Sequence, residues 1–278
     1  MFSKKYKFLD RVIEVITPEE IVDAHPYKDF LCDEAPDCMV TFEYADVFPE
    51  MPEKMVTDKE IIFVAQENKS FCWYKKHGKD GCFAYREGES NSQKVLVSGE
   101  YREKLWGGTI FNLMGFEEIM AERNSAVFHA SMIKVNGKMI LFTAPCGTGK
   151  STQASLWKEY AGAEIVNGDK ALVKSENENI IAGGLPFAGS SNICKNISAP
   201  LSAIVCLGQA KENVIRKMSA SEAFIALMQG NYRSAMSISA SQKVTDVIEN
   251  ICRNVPVYKL DCLPDKSAVE CLARELNL

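Results

Sequence analysis

The sequence predicts an α/β fold: a mixed sheet with helices over residues 103–278, preceded by a small β-rich domain over residues 1–102. Three observations predict it. Up to about residue 100, apolar residues come in short runs rich in β-branched and aromatic side chains, separated by Pro, Gly, Asp and Asn. From about residue 101, segments with helical spacing alternate with short strand-like runs. Within the second part, the apolar run Met139-Ile140-Leu141-Phe142 leads directly into "APCGTGKSTQ", residues 144–153, whose small and glycine residues suit a tight turn from a strand into a helix.

Taken in order, Arg11–Ile16, Met39–Tyr44, Ile61–Ala65, Phe71–Tyr74, Cys82–Tyr85 and Val95–Val97 read as the strands of the first domain. The acidic, proline-bearing stretch Asp33–Pro52 around the second of these runs reads as surface loop, and Glu87–Lys94 ("EGESNSQK") as a turn. Leu105, Ile110, Leu113, Met114 and Ile119 then recur at helical spacing without proline, which predicts one uninterrupted helix. A hairpin follows, Ala126–Val135 and Lys138–Thr143, joined by Asn136-Gly137, a dipeptide that tolerates positive φ in a tight turn. A helix is expected from residue 150 to about Ala161. Strands are expected at Ala163–Val166, Ala171–Lys174, Ile180–Ala182, Ser202–Leu207 and Val214–Met218, and helices near 220–229 and 241–252. The chain closes with a strand at Val255–Leu260 and an amphipathic helix at Lys266–Leu276.

Composition narrows the function classes. With 278 residues, 46% apolar and 25% charged, the chain can bury an ordinary core without a disulfide or metal staple. Its net charge is -5 and its Lys and Arg residues are scattered, which gives a nucleic-acid backbone or an anionic membrane little to hold. No run approaches the ~20 apolar residues of a membrane span, and the N-terminal lysines precede no apolar signal segment. A cytoplasmic protein without membrane or nucleic-acid partners is expected. None of the ten cysteines is spaced two apart from another, Cys32 and Cys38 being the nearest pair, and three histidines do not complete a metal set. Free thiols in a reducing compartment follow.

The turn at 144–153 carries the chemistry. Gly149, Lys150 and Ser151 end the pattern of a phosphate-binding loop, a glycine followed by four free positions and then Gly-Lys-Ser/Thr, with Ala144 in place of the first glycine. Backbone N–H groups from Cys146 to Ser151 (Cys146, Gly147, Thr148, Gly149, Lys150, Ser151) converge on phosphate oxygens only if the chain turns tightly, and the following helix adds the partial charge of its N-terminus. Lys150 would neutralise phosphate charge, Ser151 would ligate Mg²⁺, and Thr152 takes a secondary binding role in the first helical turn. The expected cofactors are ATP and Mg²⁺.

"VFHASMIKVNGKMILFTAPCGTGKSTQASLW", residues 127–157, resembles the HPr kinase/phosphorylase family, in which a His-bearing strand, a hairpin and a P-loop come in this order. The resemblance implies an α/β P-loop core of the HPr kinase/phosphoenolpyruvate carboxykinase type. It extends over about residues 103–278, and "GGLPFAGS", "PLSAIVCLGQA" and "SASEAFIALMQG" are most similar to uncharacterised HPr-kinase-related proteins and to kinases of peptide natural-product clusters. "IVNGDKALV", residues 165–173, is similar to the family's strand ending in two aspartates. Asp169 matches the second, an Mg²⁺ ligand, whereas Gly168 stands where the first, the usual general base, would be. The family forms hexamers, so homo-oligomerisation is part of what the resemblance implies.

By resemblance the protein is an ATP-dependent kinase that transfers the γ-phosphoryl group to a hydroxyl, on a serine of a protein or peptide or on a small alcohol. The alternative is a catalytically impaired nucleotide-binding regulatory module, for which Gly168 argues. Lys150 and Asp169 are catalytic candidates, and for the proton acceptor both Asp169 and His129 stand, with His129 preferred on the family's spacing. Cys146 occupies the place of a serine at a helix start, where the field lowers a thiol pKa, or fills the turn as an inert residue. Arg216, Arg233 and Lys170 are either phosphate contacts or surface charges, and His25 and His77 have no partner in sequence.

Overall fold

The computed structural model describes residues 1–21, 25–51, 56–58, 61–76, 81–187, 189–231 and 236–278. Arg233, His77 and the side chain of His25 lie outside the described residues. Among the described residues the chain is a mixed α/β structure with two eight-stranded sheets. It divides into a unit of Met1–Arg123 with Arg233–Val244 and a unit of Asn124–Tyr232 with Thr245–Leu278.

The first unit carries β1 (Phe2–Phe8), β2 (Arg11–Thr17), β3 (Cys38–Tyr44), β4 (Val56–Asp58), β5 (Ile61–Ala65), β6 (Lys69–Lys75), β7 (Cys82–Glu89) and β8 (Ser92–Val97) in the order β1-β2-β3-β8-β7-β6-β5-β4, with α1 (His25–Lys28), α2 (Gly107–Leu113) and α3 (Phe116–Ala121). Two expectations are corrected here. The stretch Asp33–Pro52 is not simply surface loop: β3 lies inside it, parallel to β2 on one side and to β8 on the other, with Cys38, Val40 and Phe42 buried. The run expected at Met39–Tyr44 is therefore an interior strand whose alternate residues face a core, and only its acidic and proline-bearing flanks run outside it. Strand pairing also consumes most of Glu87–Lys94, as far as Glu89 opposite Ser92.

The expected single helix is broken. A 3-10 turn at Gly99–Lys104 precedes α2, and Gly115, at φ +65, separates α2 from α3. A Cβ at Gly115 would lie 2.2 Å from Arg86 Nη1, so the close approach of that guanidinium requires glycine. Arg86 and Glu118 are fully buried and paired at 2.9 Å, and Glu118 also accepts from Ser70 Oγ and, at 3.0 Å, from Ser237 N. Burial without full pairing would be costly for either charge, so this network fixes α3 and the returning segment to the first sheet. Phe111 and Phe116 complete an edge-to-face aromatic cluster with Tyr6 and Phe8 at centroid distances of 4.9–5.6 Å. These contacts carry the first unit to Arg123, whereas the sequence placed the break after residue 102.

In the second unit the strands are β9 (Ser125–Val135), β10 (Lys138–Thr143), β11 (Glu164–Asn167), β12 (Lys170–Glu176), β13 (Asn179–Gly183), β14 (Ser198–Gln209), β15 (Val214–Lys217) and β16 (Val257–Cys262). Its helices are α4 (Lys150–Ala161), α5 (Ala220–Gly230) and α7 (Lys266–Leu276), while α6 (Ile238–Asn254) begins in the residues of the first unit. The hairpin turns at Asn136 and Gly137, φ +48 and +76, as that dipeptide requires. The long strands β9 and β14 each pair with different partners along their length, so the circuit β9-β12-β13-β14-β10 closes on itself. On the β14 side the sheet continues through parallel β16 to β15. Trp157 of α4 is fully buried with Phe142, Val205, Leu207, Leu260 and Leu272, which holds the helix on the sheet. Among the described residues no helix is long and apolar enough to cross a membrane.

Candidate functional site

Strand order positions the site. β10 lies between β9 and β14, and the turn leaving its end at Thr143 reaches α4 at Lys150. The Thr143 hydroxyl donates to the His129 carbonyl at 3.2 Å, and the Ser131 hydroxyl to the Lys150 carbonyl at 2.8 Å, so both ends of the turn are tied to β9. Gly147 and Gly149 adopt φ +79 and +115, the second far from any region that L side chains favour. No side chain caps α4 at Gly149, which leaves its first-turn amides without the usual side-chain acceptor. The side chain hydroxyls of Ser151 and Thr152 start the helix on its exposed face. The Lys150 ammonium folds back onto the turn, donating to Ala144 O at 2.9 Å and Pro145 O at 3.4 Å, and burial lowers its pKa against the pull of Cys146 and Asp169.

The β9–β12 register sets Lys170 opposite His129, which brings Asp169, just before β12, to the His129 ring. His129 Nδ1 and Asp169 Oδ1 are 3.4 Å apart, and both side chains are partly exposed. The His129 pKa is lowered, first by burial and then by the Lys150 ammonium, with Asp169 pulling the other way and Lys170 adding to the depression. The imidazole is therefore neutral near pH 7, and a proton on Nδ1 facing Asp169 leaves Nε2 as an acceptor.

Three positions were not singled out from sequence. Asn167 is fully buried; its Oδ1 accepts from Asp169 N and Lys170 N at 2.8 and 2.9 Å while its Nδ2 donates to Leu185 O at 2.7 Å, which sets the aim of Asp169. The Asn-Gly pair at 167–168 is the sequence signal for such a side-chain-closed turn. Gly189, φ +53, lets its backbone approach Asp169, since a Cβ there would lie 2.8 Å from Asp169 Cγ. Thr143 gives no signal in sequence. Of the remaining candidates, Cys146 is exposed on the turn, Lys170 Nζ lies 5.0 Å from the Phe187 ring centroid, and Arg216 forms a two-pronged surface pair with Glu222 at 2.8 and 3.1 Å. Such an exposed pair is a surface ion pair.

A family model described as SynChlorMet cassette protein ScmC matches residues 112–265, more than half of the chain. No curated protein matches the sequence. Among solved structures, the HPr(Ser) kinase/phosphatase from Coxiella burnetii is 16% identical over 46% of this chain and 94% of that one, with a TM-score of 0.26. A superposition that loose carries no argument about the site.

Proposed function

The chain belongs to the ScmC family of SynChlorMet cassette proteins, and from that premise and the geometry of the turn we propose that it binds ATP at residues 146–152 and transfers the γ-phosphoryl group to a hydroxyl. One observation carries the reading: the glycine-shaped, uncapped start of α4, with the Lys150 ammonium beside it, opens next to the His129–Asp169 pair. In this reading the turn's amides and Lys150 hold and neutralise the phosphates. The acceptor oxygen attacks the γ-phosphorus, the bond to the ADP oxygen breaks, and the hydroxyl proton passes to His129 Nε2. Asp169 orients the ring and stabilises the imidazolium that forms.

Among the described residues no cluster of three or more His, Cys, Asp and Glu side chains is placed to hold a metal ion. In this reading the donors offered to Mg²⁺ would be the Ser151 hydroxyl and the Asp169 carboxylate, hard oxygens of the kind that ion takes. Bound there, Mg²⁺ would offset charge on the phosphates.

Incubation with γ-labelled ATP and cell extract tests the reading. A labelled acceptor is expected, and His129→Ala should lower turnover about 10²-fold while leaving ATP affinity nearly unchanged. Retention of nucleotide without transfer would instead favour a regulatory module, a reading supported by Gly168 at the place of a second carboxylate.

A further inference from the structure

Because β10 lies between β9 and β14, the turn that springs from it has two flanks. On one, β9 and the start of β12 carry His129 and Asp169. On the other, β14 and β16 end beside a cavity of about 410 Å³. Its walls include Gly149 and Gln153 at the turn and on α4, Leu207 near the end of β14 and Ala210 just after it, and Cys262 at the end of β16 with Pro264 beyond it. Among the described residues no charged side chain lines it, although it adjoins a turn whose lysine and amides suit multiple negative charge.

We propose that this cavity is the subsite for the aromatic base of the nucleotide, so that a nucleoside triphosphate lies across the turn with its base over the β14–β16 end and its terminal phosphate at His129. The proposal rests on the reading that the turn binds a triphosphate. Three features support it. Charge is segregated along the path: uncharged at one flank, cationic at the turn, and proton-accepting at the other flank, which is the order of base, phosphates and attacked phosphorus. The apolar walls give a flat heterocycle surface to cover. Gln153, 3% exposed, lines the cavity and donates through Nε2 to Cys262 Sγ at 3.3 Å, while among the described residues its buried Oε1 has no hydrogen-bond partner, an unsatisfied acceptor next to the cavity.

Calorimetric titration of the full chain with ATP and with inorganic tripolyphosphate tests this, because the second ligand has phosphates and no base. In the unsubstituted protein ATP should bind about tenfold or more tighter than tripolyphosphate. Ala210→Phe, which fills the cavity from the residue after β14, should bring ATP down to the tripolyphosphate level and leave tripolyphosphate binding unchanged. Pro264→Trp, at an exposed position on the opposite wall, carries the same test if Ala210→Phe does not fold. Equal affinity for the two ligands, or ATP affinity unaltered in the folded variants, would overturn the subsite and leave the phosphate turn standing. Binding of neither ligand would overturn both.

Discussion

Gly149→Ala separates backbone conformation from contact at the proposed phosphate turn. Gly149 holds φ +115 and ψ 20, outside the left-handed well that other residues enter. A Cβ built there meets nothing closer than Thr152 Cβ at 4.0 Å, so the substitution adds strain without a clash. Holding a side-chain-bearing residue in so sparsely populated a region costs about 1–3 kcal/mol. If phosphate binding requires this conformation and the free variant relaxes out of it, ATP affinity falls by that amount, which is about fivefold to 150-fold. A chain that escapes the strain by rotating Gly149 turns the neighbouring amide away and loses affinity as well. Gly162→Ala is the control: at the other end of α4, φ is +65 with nothing within 4 Å, so about 1–2 kcal/mol of stability should be lost with no change in ATP affinity. Calorimetry and thermal unfolding of both variants read the two effects. If Gly149→Ala binds ATP as tightly as the original chain at an unchanged unfolding temperature, the reasoning fails.

The charges around His129 make opposite predictions: Lys150→Gln should raise its titration midpoint and Asp169→Asn lower it, read from the imidazole protons by NMR, and shifts of the same sign would refute the assignment. Because the folded pKa lies below the ordinary value of 6.5, the unfolded chain takes up the proton first. The contribution of His129 to stability is therefore complete above about pH 6.5 and is lost as pH falls from there to the folded pKa. Denaturant midpoints should accordingly drop on acidification more for the original chain than for His129→Gln, and the reverse slope would count against a depressed pKa. Glu118→Gln leaves the buried Arg86 guanidinium without its counter-charge and should cost about 3–5 kcal/mol in urea unfolding, with a near-zero cost refuting a structural role for the pair.

What could be read from the chain follows its local signals. The hairpin at Asn136-Gly137, the helix from Lys150 to Ala161 and the closing helix at Lys266–Leu276 were legible because turn chemistry and helical periodicity are written within a dozen residues. So was the turn itself, since glycine at 147 and 149 reports directly on backbone conformation. The break at Gly115 was not legible: its cause is Arg86, 29 positions earlier in the chain, whose guanidinium occupies the space of a side chain. β3 was legible as the run Met39–Tyr44, but its place between parallel β2 and β8 was not, because those pairings join segments far apart in the chain. At the site, His129 and Lys150 could be named from sequence, but their meeting with Asp169 depends on the β9–β12 register. The aim of Asp169 depends on the buried carboxamide of Asn167.

Gly168 leaves Asp169 as the acid facing His129, and one carboxylate is ill suited to two tasks in phosphoryl transfer. An oxygen that shares its electrons with a metal ion is a poor proton acceptor, so on the proposed reading the proton falls to His129. In the free protein that imidazole is a weakened base, held down by burial and by the ammonium of Lys150. A triphosphate seated on the turn places negative charge against the same ammonium and cancels much of its field at the ring. The imidazole then gains basicity only when the phosphoryl donor is present, which couples proton transfer to nucleotide occupancy without any movement of the chain. ATP added to the NMR titration should raise the His129 midpoint, and a midpoint that stays in place while ATP binds would transfer the role of proton acceptor to Asp169.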